Sequence, residues 1–456
     1  MNNNQITCKS RIPTSKMLKL LGLAFIAALI HSFLLGSDAS WVTDGRSLIE
    51  WFWRGLILLS FCLVLFDYLL AREKPQLSIE RHNHEILPLH RFSEMKVTIA
   101  HKLQKPTQIA LKELIPATLE VSHDVFNITL LPGQVTQLEY QMRANQRGDA
   151  HIDGLEIIMP SPLGLWQSVY RIDSPATLKV YPDFQTIQGF ALMALDNKQS
   201  NMGIKKVQKR GEGMEFHQLR EYMRGDTSRQ IDWKATARKQ KLISRDYQDE
   251  RDQQIIVLLD NGRRMRNHNQ QLGHLDHSVN AMALLSHIAL KQGDAVGLMS
   301  FGQQQKWLPG KKGTAHLNTI LNHVYDLQPE LHATDYSTAA QKLLKLQRKR
   351  SMVILITNTR DEDIDDLLPA IKLINKSHLV LLANIIEPDL QQVMDTPVDN
   401  VEQLYRYCGT AEYLSKRDKI RQKLSEQGIF VIDALPQDLP VRVCNSYLEI
   451  KRSGYL

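Results

Sequence analysis

Two long apolar segments near the amino terminus constrain the fold of this chain more than any other feature. The first extends from Met17 to Gly36, and the second extends from about Trp51 to Ala71. At about 1.5 Å of rise per residue, a helix of roughly twenty residues crosses the ~30 Å hydrocarbon core of a bilayer. The two segments therefore predict a two-helix transmembrane hairpin over residues 17–71, preceded by an amino-terminal segment at residues 1–16.

The basic residues predict the orientation of this hairpin. They flank both apolar segments on their outer sides, whereas the connection at residues 37–50 holds only Arg46. Because basic flanks stay in the cytoplasm, we expect both termini and the folded domains there, with Trp41, Trp51 and Trp53 at the opposite interface. A cleaved signal peptide at the first segment is the alternative. The flanking basic residues are Lys9, Arg11, Lys16, Arg72, Lys74 and Arg81.

Length, charge and cysteine spacing exclude several classes of protein. The 456 residues are too many for one ordinary core, so two or three folded units are expected. The formal net charge is +7, and no concentrated basic stripe marks a nucleic-acid-binding face, so no nucleic acid is expected as a partner. The four cysteines form no metal-ligand spacing and are typical of isolated thiols in a reducing compartment.

Residues 76–184 alternate apolar and polar positions in short segments that proline, glycine and asparagine interrupt. Clear examples are MKVTIAHKL, QIALKEL, TQLEYQM and ATLKVYP. Roughly seven strands with no helix between them predict an antiparallel β-sandwich. The segment Ser161–Trp166 is interpreted as a structural corner of this domain. The side chains expected in its core are Val97, Ile99, Leu111, Leu138, Tyr140 and Leu178.

Residues 185–250 are interpreted as a linker followed by a segment dense in charged groups around Trp233. Asp226 is expected to cap a short helix over residues 232–238. Arginine side chains pair bidentately with carboxylates, so this segment forms either a structural ion-pair network or a surface that docks a partner. The charged groups are Glu215, Arg220, Asp226, Arg229, Asp232, Arg238, Arg245 and Glu250.

The same segment resembles a known bacterial family. The pattern G-x-G-x-E-F, then L-R-x-Y-x-x-G-D, R-x-I-D-W-x-x-x-A-R and R-x-Y, over residues 211–247, is similar to the signature of domain-of-unknown-function family fifty-eight. The resemblance extends to the two spans, the PLGL turn and a von Willebrand factor A-like domain. Members are commonly encoded with MoxR-type AAA+ ATPases, so the resemblance implies such an ATPase as partner, although the family's activity is undefined. The positions assigned to partner docking are Glu215, Phe216, Arg220, Tyr222, Gly225, Asp226, Arg229, Asp232, Trp233, Arg238 and Arg245.

Residues 251–456 alternate short apolar segments with amphipathic ones, which is typical of an α/β domain with a parallel sheet. Strands are expected at IIVLLD, AVGLMSF, QQKWLP, MVILIT, HLVLLANI and GIFVID. The order predicts a doubly wound, von Willebrand factor A-like domain, whose ligands would lie beyond the carboxyl ends of the strands. Helices are expected near residues 276–291, 314–326, 337–350, 363–375 and 403–427.

The loop after the first of these strands departs from the pattern that binds Mg²⁺. Von Willebrand A domains that hold the cation carry D-x-S-x-S there, because a hard cation prefers carboxylate and hydroxyl oxygens. Here the loop begins with Asp260, and Gly262 and Arg264 replace the two hydroxyl residues. We expect Asp260 to pair with Arg263 or Arg264 instead of a metal.

The more distant positions of the same metal site are also altered. Thr334 or Asp335 is a candidate for the middle ligand, whereas Asn358 replaces the later acid. Too few oxygens remain, so neither a metal nor another cofactor is expected. The positions of this degenerate metal site are Asp260, Gly262, Arg264, Thr334 and Asn358.

The sequence favours an adaptor over an enzyme. Catalysis needs an activated nucleophile or a tuned acid–base pair, and neither Cys408 nor His268, His274 and His277 with Asp276 has a spacing that selects a mechanism. The leading interpretation is a membrane-anchored adaptor that works with a MoxR-type AAA+ ATPase and other envelope proteins in the bacterial inner membrane. The alternatives are a metal-dependent adhesion or receptor domain and an envelope-modifying hydrolase.

Overall fold

The computed structural model describes residues 6–35, 40–72, 75–82, 86–183, 215–223, 231–248, 253–269 and 272–455. These residues form a mixed α/β protein with several sheets. The chain divides into two compact units, residues 1–180 and residues 181–456. Most of the predicted linker, residues 184–214, lies outside the described residues, and so do Gly225, Asp226 and Arg229 of the charged segment.

The first unit begins with a strand that the sequence did not predict. Strand β1 (Ile6–Pro13) pairs antiparallel with β10 (Trp166–Tyr181), from Ile6 opposite Ile172 to Pro13 opposite Trp166. Most of the eight residues of β1 are exposed. Its sequence therefore lacks the alternation of apolar and polar residues that predicts a half-buried strand.

Helices α1 (Ser15–Leu35) and α2 (Ser40–Leu70) follow β1. Among the residues whose side chains the structure describes, the segment Trp51–Leu70 of α2 is the one long and apolar enough to cross a membrane. Its large apolar side chains are exposed along the helix, with Leu58 and Phe61 as examples. A contiguous exposed apolar surface of this size marks contact with a membrane or with another protein.

Two antiparallel sheets form the rest of the first unit. In the first sheet, the order is β1-β10-β9-β5-β7 with β3 beside β10, and in the second it is β2-β4-β8-β6. All six side chains predicted for the core are buried, and the four clear segments all form strands. The strand bounds are β2 Leu77–His82, β3 Ile86–Pro88, β4 Phe92–His101, β5 Thr107–Leu114, β6 Leu119–Val121, β7 Phe126–Leu130, β8 Thr136–Ala144 and β9 Gly148–Pro160.

A buried polar contact joins the two sheets. Arg81 Nη2 of the second sheet lies 2.7 Å from Glu113 Oε2 of the first, and the Tyr140 hydroxyl donates to Glu113 Oε1 at 3.0 Å. Burial raises the pKa of Glu113, and the Arg81 charge opposes part of that rise. The contact gives a buried carboxylate both a counter-charge and a hydrogen bond, as its burial requires.

The second unit begins with a β-hairpin and a short helix. Strands β11 (Glu215–Glu221) and β12 (Ile243–Gln248) pair antiparallel, and α3 (Trp233–Lys239) lies between them in the chain. The sequence predicted the helix but not the hairpin that carries it.

A six-stranded sheet forms the centre of the second unit, in the order β17-β16-β13-β18-β19-β20. Five strands are parallel, and β17 pairs antiparallel at one edge. All six strands coincide with segments expected from the sequence. Their bounds are β13 Gln254–Asp260, β16 Ala295–Phe301, β17 Trp307–Lys311, β18 Met352–Thr357, β19 Leu379–Ile385 and β20 Phe430–Ala434, and a small hairpin of β14 (His268–Asn269) and β15 (Leu272–Gly273) follows β13.

Helices cover both faces of this sheet, which explains why its strands are almost uniformly apolar. Residues of α4, α5 and α10 share one core with the sheet, and residues of α6, α7 and α9 share the other. Five helices match the predicted segments, whereas α8 and α10 were not predicted. The bounds are α4 His274–Lys291, α5 His316–Val324, α6 Tyr336–Leu346, α7 Ile364–Asn375, α8 Pro388–Asp395, α9 Val401–Glu426 and α10 Leu439–Arg452.

Candidate functional site

Asp260 ends β13 in a buried pocket and accepts hydrogen bonds from uncharged donors. The Gly262 amide donates to Asp260 Oδ1 at 2.8 Å, and the Thr357 hydroxyl donates to Asp260 Oδ2 at 2.6 Å. The Thr334 hydroxyl lies 3.5 Å from the same Oδ2. The expectation that an arginine pairs with Asp260 is therefore wrong. Burial raises the pKa of Asp260 to about 6, although the hydrogen bonds from Thr357 and Gly262 lower it in part.

Arg264 is paired elsewhere, with the acidic loop that follows β18. Its Nη1 lies 2.8 Å from Asp363 Oδ2, and its Nη2 lies 3.1 Å from Glu362 Oε2. The side chains of Arg264 and Asp363 are only 13% and 20% exposed, whereas that of Glu362 is 72% exposed. The position that corresponds to a hydroxyl ligand in the D-x-S-x-S pattern thus holds a guanidinium paired with two carboxylates.

The packing at Gly262 opposes a hydroxyl residue at the other altered position. A Cβ atom added to Gly262 would lie 2.8 Å from Thr334 Cγ2 and 3.2 Å from Asp260 Oδ1. Within the described residues, no group of three or more histidine, cysteine, aspartate or glutamate side chains could hold a metal ion. Asp260 and Thr334 are close enough to share a ligand, but the surrounding residues do not fit the Mg²⁺ site of a von Willebrand A domain.

Asn358 takes part in a buried polar network immediately after β18. Its Nδ2 lies 3.0 Å from Glu387 Oε1 and 3.2 Å from His274 Nδ1. Burial lowers the pKa of His274, whereas the Glu387 charge opposes that shift. Arg360 Nη2 approaches Glu387 at 3.5 Å. Asn358 stands where the metal-binding pattern has an acid. Its side-chain amide links the ends of β18 and β19 to the start of α4.

The charged segment that carries the family signature is organised by Asp232. This carboxylate caps α3 by accepting from the Ala235 amide at 2.9 Å, and Arg245 Nε lies 2.9 Å from its other oxygen. The Ala235 amide and then Arg245 lower the pKa of Asp232. The helix is therefore capped by Asp232, whereas the sequence assigned the cap to Asp226.

Four apolar side chains of this segment face solvent, and we call them the signature surface. Trp233 is 67% exposed, Met223 65%, Leu242 48% and Leu219 40%. The same segment also carries exposed basic side chains and the half-buried Tyr222. Arg220 donates to the Glu221 carbonyl at 3.3 Å, and the side chains of Glu215 and Phe216 lie outside the described part. The exposed basic residues are Lys234, Arg238, Lys239, Lys241 and Arg245.

The predicted corner at Ser161–Trp166 fastens the ends of α1 and α2 to the sheets. Asp67 of α2 is fully buried and accepts from Ser161 Oγ at 2.5 Å and from the amides of Leu163 and Leu165 at 3.0 and 3.1 Å. Thr14, which precedes α1, donates to the carbonyl of Gly164 at 2.7 Å. We call this contact the anchor turn, and sequence reasoning did not identify Asp67 as its centre.

His268, His274, His277 and Asp276 lie near one another around the start of α4, since burial and the charge of His268 lower the pKa of His274 and the charge of Asp276 opposes the fall in the pKa of His277. Asp276 Oδ2 accepts from the Gly273 amide at 2.9 Å and caps α4. His277 is buried, and burial lowers its pKa to about 4. Cys408 is exposed on α9, and among the described residues no hydrogen bond joins it to a histidine.

Comparison with known proteins finds a family match that covers most of the signature segment and five strands of the six-stranded sheet. The family described as Protein of unknown function DUF58 matches residues 218–403, from β11 to the start of α9. Uncharacterized protein YeaD of Bacillus subtilis (strain 168) is 22% identical over 229 residues, which are 50% of this chain and 54% of that protein. The match thus spans about half the length of this curated relative.

Similarities to solved structures are weak. Proximal thread matrix protein 1 from the mussel byssus is 15% identical with a TM-score of 0.27, and the match covers 44% of this chain and 48% of that one. Salmonella alpha-2-macroglobulin reacted with methylamine is 16% identical with a TM-score of 0.19, and the match covers 23% of this chain and 7% of that one. TM-scores this low assign no fold.

Proposed function

We propose that this chain is a membrane-anchored adaptor with a von Willebrand factor A-like domain, which works with a MoxR-type AAA+ ATPase in the assembly or maturation of envelope proteins. The signature surface is the observation that carries the proposal. A tryptophan that is 67% exposed supports an interface here, because tryptophan is enriched among the residues that anchor interfaces. The adaptor needs no catalytic group of its own, because the ATPase supplies the chemical energy.

The pairing of β1 supports a two-pass anchor. Strand β1 precedes α1, β10 follows α2, and the two strands share one sheet. If α2 crosses the membrane, the chain must cross a second time between β1 and β10, and α1 is the helix available for that crossing. Basic flanks then favour the cytoplasmic side for both termini, where an AAA+ ATPase would meet the signature surface.

The pocket at Asp260 supports protein recognition over metal-dependent adhesion. Metal-dependent adhesion needs a site in which the ligand completes the coordination of the cation. Here the Arg264 guanidinium already pairs with two carboxylates, and Gly262 packs against Thr334. An adaptor that recognises its partner through side chains alone is consistent with this arrangement.

Purification of the tagged full-length chain from native membranes, with the nucleotide state trapped, tests the proposal. We expect a AAA+ ATPase to co-purify. Trp233→Ala should reduce its recovery at least about tenfold, because a buried aromatic anchor contributes about 2 kcal/mol or more to an interface. The matched control is Tyr405→Ala, which removes another exposed aromatic side chain from α9. Recovery of no AAA+ ATPase with the unaltered chain would contradict the proposal.

A further inference from the structure

The outer edge of β20 carries backbone groups that no described strand uses. β20 ends the six-stranded sheet and pairs with β19 on its inner side. The Ala434 carbonyl accepts from the Ile386 amide on that inner side, whereas the Asp433 carbonyl accepts from Arg442 Nη1 at 2.8 Å. Because alternate residues of a strand direct their amides and carbonyls to opposite edges, Val431 presents its backbone groups outward, as Asp433 does.

Helices α9 and α10 flank this edge and leave a cleft of about 620 Å³ between them. Leu414 and Val431 supply apolar lining, and Arg417, Arg421 and Arg442 supply positive charge. If β20 of a second copy paired with this edge, the helices that flank that strand would contact α9 and α10. A single extended segment meets no such obstacle, and a strand added at an edge needs only about 4.8 Å of lateral space.

The charge of the cleft is not fully balanced by its own acidic groups. Arg417 is 9% exposed, and its Nε and Nη2 bind Asp433 Oδ1 at 3.3 and 3.0 Å. Its buried Nη1 has no hydrogen-bond partner in the described part of the chain. Arg421 pairs with Asp418 at 3.3 Å. Three guanidinium groups thus face two carboxylates, which leaves one positive charge of the cleft unbalanced.

We propose that the outer edge of β20 binds an extended acidic segment of a partner protein as an added strand. Its backbone pairs with Val431, and one of its carboxylates accepts from the exposed guanidinium of Arg421. Backbone pairing supplies affinity in this mode, and side-chain pockets supply specificity. This inference goes beyond the adaptor function, because it requires neither the ATPase nor the signature surface.

Fluorescence anisotropy with labelled peptides and the full-length chain in detergent micelles tests the proposal. The probe is an acetylated, amidated peptide of four Glu-Val repeats, which is extended and acidic. We expect it to bind at least about tenfold more tightly than a Lys-Val peptide or a Glu-Val peptide with alternate amides methylated, because charged and backbone hydrogen bonds each contribute about 1–3 kcal/mol. Equal affinity of the acidic peptide and either control peptide, or no binding of the acidic peptide, overturns the proposal.

Three variants separate strand addition from general charge attraction. Arg421→Glu should weaken the acidic peptide at least about tenfold, whereas Lys423→Glu, the same charge change outside the cleft on α9, should leave its affinity unchanged. Val431→Pro removes the outward amide and should weaken the peptide while β20 keeps its pairing with β19. Thermal unfolding checks that this variant folds, and Arg421→Glu tests the cleft independently. Equal losses in both α9 variants, or complete displacement by inorganic phosphate at the peptide's own concentration, would overturn the proposal.

Discussion

Asp260 is a carboxylate whose charge is stabilised only by hydrogen bonds from its neighbours in the pocket. Its position could be predicted because it is the last residue of a recognisable strand. Its surroundings could not be predicted, since Thr357 lies 97 residues further along the chain and the Glu362 partner of Arg264 lies 98 residues away. The sequence supplied the residues that replace the metal ligands, whereas the pairing of Arg264 depends on how β13 and β18 adjoin.

The raised pKa of Asp260 predicts a pH dependence of stability. A carboxyl pKa raised from 3.8 to about 6 contributes stability that is fully present below pH 3.8 and is lost as the pH rises through about 6. Asp260→Asn removes this titration. Between pH 4 and 7, its free energy of unfolding should therefore rise by ~2 kcal/mol relative to the unaltered chain. Denaturant unfolding of both proteins across this range measures the difference, and a constant difference would contradict the assignment.

The altered loop predicts the response to divalent cations. Calorimetric titration of the full-length chain with Mg²⁺ should show no saturable binding, because Arg264 and its acidic partners occupy the region and Gly262 leaves no room for a hydroxyl residue. Asp260→Asn is the control, since it removes the carboxylate that any bound cation would need. Saturable heat that disappears in this variant would revive the metal-dependent adhesion alternative.

Among the elements, long apolar strands and strongly amphipathic helices could be predicted from sequence, and short or exposed ones could not. The fully buried β18 was visible as six consecutive apolar or small residues. β1 was not visible, because most of its side chains are exposed. Helix α8 begins with Pro388 and buries no residue, so it offers no apolar stripe to recognise. The hairpin of β11 and β12 was obscured because a helix separates its strands in the chain.

The anchor turn predicts a large effect from one buried carboxylate. Asp67→Ala leaves Ser161 Oγ and the amides of Leu163 and Leu165 without their acceptor, and each unpaired buried donor costs about 1–3 kcal/mol. We expect a clear fall in the temperature at which the first unit unfolds. Asp153→Ala, at an exposed position in the same unit, should change stability by less than about 0.5 kcal/mol. Equal effects of the two substitutions would show that the turn does not depend on Asp67.

For the whole molecule, the shared sheet of β1 and β10 predicts the membrane topology. The native Cys8 in β1 and Cys408 in α9 are both exposed and should react with an impermeant thiol reagent only after the inner membrane is opened. A cysteine introduced at Ser40, in the connection between the spans, should react in intact cells. Labelling of Cys8 in intact cells would contradict the proposed two-pass arrangement.

Site-specific photo-crosslinking at position 233 tests the central claim most directly. Trp233 is replaced by a photoreactive benzoylphenylalanine in living cells, and the crosslinked proteins are identified by mass spectrometry. The adaptor account predicts a AAA+ ATPase as the main adduct at position 233 and its absence when the same residue replaces Tyr405. Adducts at position 233 that contain no AAA+ ATPase, or the same adducts at both positions, would contradict it.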